Sequence, residues 1–269
     1  MKVAVCLHGY YGTLSTNDFS TSKGGHLHIL DRVVAVASEV DFYVHCWQPE
    51  YADEIKRVYS PKKYLFEEQK DFQLICKENS ISQEYIDGAF PRTSTMYKNS
   101  NAERILSFYY SRCESLKLSR DKDYDFVITT RFDISQRGGP EVRILKFDPS
   151  LDNNFFYTTD WNQKNAGYGD MWFFSSQENM NLYSKIYEYA LKDFSIGSKY
   201  EKCLTTGWPD SHFYNVFSTT DPRQFSNEVD KTDKTDNLMR FPRWRVADSH
   251  LHHKWFCIQT GLYEKTKWL

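Results

Sequence analysis

The residues best spaced to do chemistry are Arg131 and Asp133, which close the segment YDFVITTRFD over 124–133. Residues 126–130 read as a central strand, and side chains two apart at a strand end leave on the same side. The pair has two readings. The carboxylate is a hard oxygen ligand for Mg²⁺ or Mn²⁺ and the guanidinium grips phosphate, so together they would hold a cation and a phosphate. Alternatively they pair with each other as a salt bridge at the sheet edge. A second place is the turn His8-Gly9-Tyr10-Tyr11-Gly12-Thr13 after the Val-rich run 2–8. Both places satisfy the rule that open α/β sheets bind ligands beyond the carboxyl ends of their strands. A third is the cluster His250, His252 and His253, which invites a metal reading. It lacks matching carboxylate or cysteine spacing and reads instead as a solvated tail. His45 reads as a packed, hydrogen-bonded core residue, and His212 as solvent-facing or core. The stretches MRFPRWRV (239–246) and HKWF (253–256) offer aromatic faces and guanidiniums to a polysaccharide. The favoured reading is a strap packed over the core through cation–π contacts.

These residues need elements to place them. Residues 2–8 predict a buried first strand. The stripe Leu27, Leu30, Val33, Val34 and Ala37 predicts a helix over 27–39, and DFYVHCW (41–47) a second strand. A short helix over 50–59 and a third strand within 61–68 complete a β-α-β-α-β order, which favours a parallel sheet. Residues 69–100 read as a loop-rich excursion. A helix over 100–118 carries Ile105, Phe108, Tyr109, Arg112 or Cys113, and Leu116 on one stripe, with Ser100 or Asn101 as its cap. Strands follow at 154–159 and within 169–176, then a helix over 177–192. Pro209-Asp210 opens a further short helix. Residues 223–248 are charged and irregular. One domain over 1–269 is expected, with 223–269 as a C-terminal strap.

The chain has 269 residues, enough for a large buried core. With 34 Lys+Arg against 36 Asp+Glu, the charge balance argues against nucleic acid or an anionic membrane as main partner. No run is long and apolar enough to span a bilayer. The mean hydropathy of -0.66 is low. Yet 19 Phe, 19 Tyr and 7 Trp supply buried area that disordered chains lack. The 6 cysteines are scattered without a CxxC pair, and the start lacks a signal-peptide pattern, so a cytoplasmic, reducing setting is expected. No GxSxG, P-loop, HExxH or GxGxxG occurs, so hydrolase, P-loop and dehydrogenase readings have no support.

Taken in order, MKVAVCLHGYYGT, DFYVHCW, STMYKNSNAERI, YDFVITTRFDI and GDMWFFSSQENMNLYSKIYE resemble a family of GT-A-type glycosyltransferases found in bacterial surface-polysaccharide clusters and large DNA viruses. The likeness spans roughly residues 1–217. Its specific parts are the Arg-x-Asp strand and the block 170–180. The resemblance implies a GT-A-like, Rossmann-like α/β fold with a mixed, mainly parallel central sheet flanked by helices. It implies transfer of a sugar from a UDP- or GDP-linked donor to a glycan hydroxyl in surface-glycan synthesis, in the host cytoplasm if the chain is viral. In such enzymes a DxD motif holds Mn²⁺ or Mg²⁺ against the donor diphosphate. Asp133 takes the carboxylate position, and a late histidine such as His250 or His252 would complete the metal shell. The first motif position is Arg131, a departure that lets the guanidinium neutralise phosphate itself. Gly12 stands where related sequences often carry Arg. Gly9, Tyr10 and Tyr11 would line the nucleotide end, a tyrosine stacking on the base. Asp210 is the favoured general base of an inverting reaction and Asp170 the favoured substrate contact. For Asp210 the plainer reading is a helix-terminal acid stabilised by the dipole. A reading of another class is a non-catalytic glycan-binding or scaffold protein that kept the fold.

Overall fold

The computed structural model describes residues 1–11, 20–81, 101–134, 143–159, 168–200 and 249–269. Asp210, His212, Gly12, the helix at Pro209 and the stretch 223–248 lie outside the described residues.

The centre is β1 (Lys2–Gly9), whose continuous apolar run is buried on both faces, as a strand flanked by two others and covered above and below must be. Seven strands form one sheet in the order β3-β2-β1-β4-β6-β5-β7. The others are β2 (Glu39–Cys46), β3 (Lys63–Phe66), β4 (Phe126–Arg131), β5 (Phe156–Thr158), β6 (Trp172–Ser175) and β7 (Thr266–Trp268). Strands β3, β2, β1 and β4 run parallel, β6 runs antiparallel to both β4 and β5, and β7 is parallel to β5. The mixed, mainly parallel α/β sheet expected from the sequence is therefore present.

Alternation along β1 sorts the core into two layers. Ala4 and Cys6 face one cluster, with Val127 and Phe173. Val3, Val5 and Leu7 face the other, with Ile128 and Phe174. The first layer is covered by α3 (Phe72–Glu78), α4 (Ala102–Lys117), α5 (Gln177–Tyr183), α6 (Ile186–Asp193) and α7 (Ser249–Thr260). The second is covered by α1 (Ser20–Ile29), its π-type continuation Leu30–Val34, and α2 (Ala52–Tyr59). Asn101 caps α4 by accepting from the Arg104 amide at 3.0 Å, as one of the two expected caps. All five described cysteines are buried free thiols. No helix among the described residues is long and apolar enough to cross a membrane.

Four expectations change. The first helix starts earlier than 27 and buries Gly25, Ile29 and Val33, four residues apart, while Leu27 is 63% exposed. The buried face differs from the apolar stripe because Gly25, the point of closest approach to Phe132, carries no hydrophobic signal. The helix over 177–192 is two helices that break at Ser184-Lys185. The excursion over 69–100 contains α3, capped by the Asp71 carboxylate on the Leu74 amide. The tail histidines are not solvated: His252 and His253 are buried in α7, and β7 extends the sheet beside β5.

Gly25 sets the distance between α1 and the tip of β4. A Cβ there would lie 2.0 Å from the Phe132 carbonyl oxygen and 3.2 Å from that of Ile134, both backbone atoms that cannot rotate away. Gly25→Ala is expected to push α1 off the β4 tip and cost about 1–3 kcal/mol, read as a lower denaturation midpoint at unchanged m-value. A midpoint equal to wild type would show that α1 is not held against this turn.

Candidate functional site

Register brings three polar side chains onto one rung at the carboxyl end of the parallel strands. His45 of β2 and Arg131 of β4 are both Cα partners of His8 in β1. In-register neighbours of a sheet share a face, and here it is the face covered by α4. Two residues of α4, Ser111 and Arg112, divide the rung between them.

Ser111 fixes the turn after β1. Its hydroxyl accepts from the Gly9 amide at 2.8 Å and donates to His45 Nδ1 at 2.7 Å, leaving Nε2–H to donate to the Glu67 carboxylate at 3.1 Å. Burial holds the His45 pKa below its ordinary value although Glu67 opposes the shift. Gly9 sits at φ +100°, a conformation open to glycine at little cost. The next turn residue is held from the other side, the Gln48 side chain accepting from the Tyr11 amide at 2.8 Å. The Tyr11 ring is only 1% exposed and packs edge-on against Phe132 with 5.4 Å between centroids. It is a core residue, so the base-stacking face expected of it is occupied. Tyr10 is half-buried, with its hydroxyl on Gln69, and of the two tyrosines it alone retains surface.

Arg112 organises the deeper part. Its guanidinium is fully buried, yet no carboxylate is among its hydrogen-bond partners. Nε donates to His8 Nε2 at 3.2 Å, and Nη1 to the Tyr183 hydroxyl at 2.7 Å and His253 Nε2 at 2.8 Å. Nη2 donates to the Asp170 backbone carbonyl. Phe108 lies under the guanidinium at 4.2 Å. Both imidazoles must be neutral to accept these bonds. Burial first, and then the Arg112 charge, push the pKa values of His8 and His253 well below the ordinary histidine range. His8 Nδ1 has no partner among the described residues.

Arg131-Phe132-Asp133 divides as a strand end should. Phe132 is buried between Tyr11 and Tyr59. The charged pair is partly exposed, at 36% for the Arg131 side chain and 24% for Asp133. Arg131 holds Asp133 in a two-pronged bridge, Nε to Oδ1 at 2.8 Å and Nη2 to Oδ2 at 2.6 Å, and Arg143 approaches Oδ2 at 3.7 Å. The salt-bridge reading thus describes the contact present. Asp170, just before β6, completes the cluster. Burial alone would raise its carboxyl pKa, but His250, Arg131 and Arg112 outweigh that and keep it below its usual range. His250 Nδ1 donates to the Tyr168 carbonyl at 2.6 Å, which ties the start of α7 to the segment leading into β6.

The divalent cation implied by the sequence resemblance finds a poor donor set. Among the described residues no three His, Cys, Asp or Glu groups converge as metal ligands. Both Asp133 oxygens already accept from a guanidinium, and His250 uses Nδ1 on a carbonyl. His252, the other late candidate, is buried and donates from Nε2 to the Asp193 carboxylate at 3.0 Å. What converges is cationic: Arg131, Arg143 and Arg112 around two carboxylates, an arrangement that fits an anion.

Of the residues singled out in the sequence, the structure therefore brings together Arg131, Asp133, Asp170 and His250. Gly9 and Tyr10 stand at the neighbouring strand end. Sequence reasoning missed Arg112, Arg143 and the part played by His8 and His253. For Arg112 a signal existed, since the helical stripe of α4 put an arginine at a core position.

No protein-family model and no curated protein matches this chain. Among solved structures it is similar to apo mouse xyloside xylosyltransferase 1, with 11% identity, a TM-score of 0.37, and coverage of 100% of this chain and 84% of that one.

Two outcomes test the Arg112 hub. Arg112→Gln leaves buried acceptors short of donors and is expected to cost about 2–4 kcal/mol in urea unfolding. For the pH dependence, His8 and His253 have folded-state pKa values below the ordinary 6.5. The unfolded chain therefore binds more protons below that pH, and stability falls as pH drops. The expected slope is up to about 1.4 kcal/mol per pH unit for each histidine between roughly pH 6.5 and 5, above the carboxylate range. Because burial is the larger cause of both shifts, Arg112→Gln should keep most of that slope, whereas His8→Gln should remove that histidine's share, and an identical slope in His8→Gln would remove His8 as its cause.

Proposed function

We propose that the chain is a glycosyltransferase that moves a sugar from a UDP- or GDP-linked donor to a hydroxyl of a glycan acceptor. The observation that carries this reading is the group of three guanidiniums, Arg131, Arg143 and Arg112, gathered around Asp133 and Asp170 at the carboxyl ends of the parallel strands. That end is where α/β sheets bind nucleotides, and it is where the sequence resemblance implies a donor diphosphate.

In this reading the acceptor oxygen attacks the anomeric carbon, and the bond from that carbon to the diphosphate oxygen breaks. The nucleoside diphosphate leaves with the electron pair. The acceptor proton passes to a carboxylate, with Asp210 favoured as that base. Negative charge grows on the departing oxygen, so fixed guanidiniums aimed at it lower the barrier. Arg131 is suited to this because its prongs already grip the two oxygens of Asp133, a geometry that a phosphate group shares. Asp133 then acts as the counter-charge that keeps Arg131 oriented before donor binds. Asp170 is ionised and partly exposed beside them, and it contacts donor hydroxyls. Tyr10 is the ring left to stack on the base.

Thermal denaturation with UDP, GDP and their sugars tests the binding half, since a ligand of the native state raises the melting point. At least one nucleotide is expected to do so, and Arg131→Ala should abolish the shift. A panel in which none stabilises the wild type would end the reading. In a transfer assay, Asp210→Asn is expected to cut turnover about 10²-fold or more with little change in donor binding, and Asp170→Asn to weaken donor binding. Activity that survives EDTA agrees with guanidinium neutralisation, whereas strict dependence on Mn²⁺ would transfer that role to a cation.

A further inference from the structure

We infer that the chain has a second anion site, for a small phosphate monoester such as a sugar phosphate, at the pole of the sheet opposite Arg131. A cavity of about 470 Å³ lies between the end of α4, the helix α5 and the residue before β7. It is lined by Arg120, Lys185 and Lys265, with one carboxylate, Glu178, and two amides, Asn179 and Asn181. Its place follows from register. Ser175, which ends β6, pairs with Val127 near the start of β4, and α5 begins two residues later. From Phe126 to Arg131 the strand advances five residues, roughly 16 Å at about 3.3 Å each. One small ligand cannot occupy both places.

The cations here are oriented without being neutralised. Lys265 donates to Asn179 Oδ1 at 2.9 Å. Asn179 is itself buried and held through Nδ2 by Ser175 Oγ at 2.8 Å and the Asn154 carbonyl at 3.1 Å. Arg120 donates to Ser184 Oγ. Neutral oxygens thus fix two positive side chains at the cavity wall, and among the described residues none of the three cations forms an ion pair within 4.0 Å. Other surface lysines do meet carboxylates, Lys62 and Lys122 both on Asp41 and Lys63 on Asp121. Three cations against one carboxylate leave a charge of +2, which matches a phosphate monoester dianion. Asn181 accepts from Gln177 through Oδ1 and keeps its Nδ2 donors for a ligand hydroxyl. Leu182 and side-chain hydrocarbon form much of the cavity wall, and the guanidinium and two ammonium groups at its rim favour an anionic ligand over a neutral one.

Isothermal titration calorimetry of the full chain at low salt tests this, with inorganic phosphate and glucose 6-phosphate as probes. Saturable binding is expected for both, tighter for the sugar phosphate and weakened by added salt. Lys185→Glu, a change at an exposed residue, should weaken both at least tenfold, and Arg120→Ala with Lys265→Ala should abolish binding. Arg131→Ala should leave the affinity unchanged, which separates this site from the proposed donor site. Three results would overturn the inference: no saturable binding to wild type, wild-type affinity in Lys185→Glu, or loss of binding in Arg131→Ala alone.

Discussion

The architecture around the candidate site depends on one buried cation. Arg112 has left water with no carboxylate to meet it, a transfer that costs several kcal/mol unless the guanidinium's donors are satisfied. Four elements supply the acceptors: His8 on β1, Tyr183 on α5, His253 on α7 and the carbonyl of Asp170 before β6. Each bond is directional, so the four elements are held in one mutual arrangement. Because the acceptors are neutral, the positive charge is not cancelled. It reaches the Asp170 carboxylate and helps to keep it ionised at the edge of the cluster.

A second constraint comes from the opposite face. Gly25 lets the backbone of α1 approach the carbonyl of Phe132, and Phe132 fills the space between Tyr11 and Tyr59. With the middle residue of Arg131-Phe132-Asp133 wedged in hydrocarbon, the charged residues on either side are turned outward. Core packing thereby aims the site. The same logic explains the turn after β1, where Ser111, Gln48 and the buried Tyr11 ring leave Gly9 and Tyr10 a single course.

The two cationic clusters differ in a way that bears on what each can hold. At the β4 tip the guanidiniums are already paired with Asp133, so an incoming anion must displace or share that carboxylate, and recognition there is geometric. At the opposite pole the cations are held by an amide and a hydroxyl, so an incoming anion meets uncompensated charge.

What the sequence determined by itself is the part governed by local periodicity. Alternation and apolar runs located β1, β2 and β4, the stripe located α4 with Ser100 or Asn101 as its cap, and the strand-end rule pointed to Arg131 and Asp133. These signals are local because a strand or helix displays its buried face at a fixed spacing. What only the tertiary structure decided is every partnership across the chain. Nothing near Arg112 announces His253, which is 141 residues away and looked like part of a solvated tail. Gly25 marks a helix–strand contact by the absence of a side chain, and no hydropathy pattern records an absence. Tyr11 and Tyr10 are neighbours of one type, yet one is core and the other surface, because the direction of a turn is set by the side chains that grip its amides. Contacts of that kind depend on which elements meet, and in this chain they meet around a charge that had to be buried.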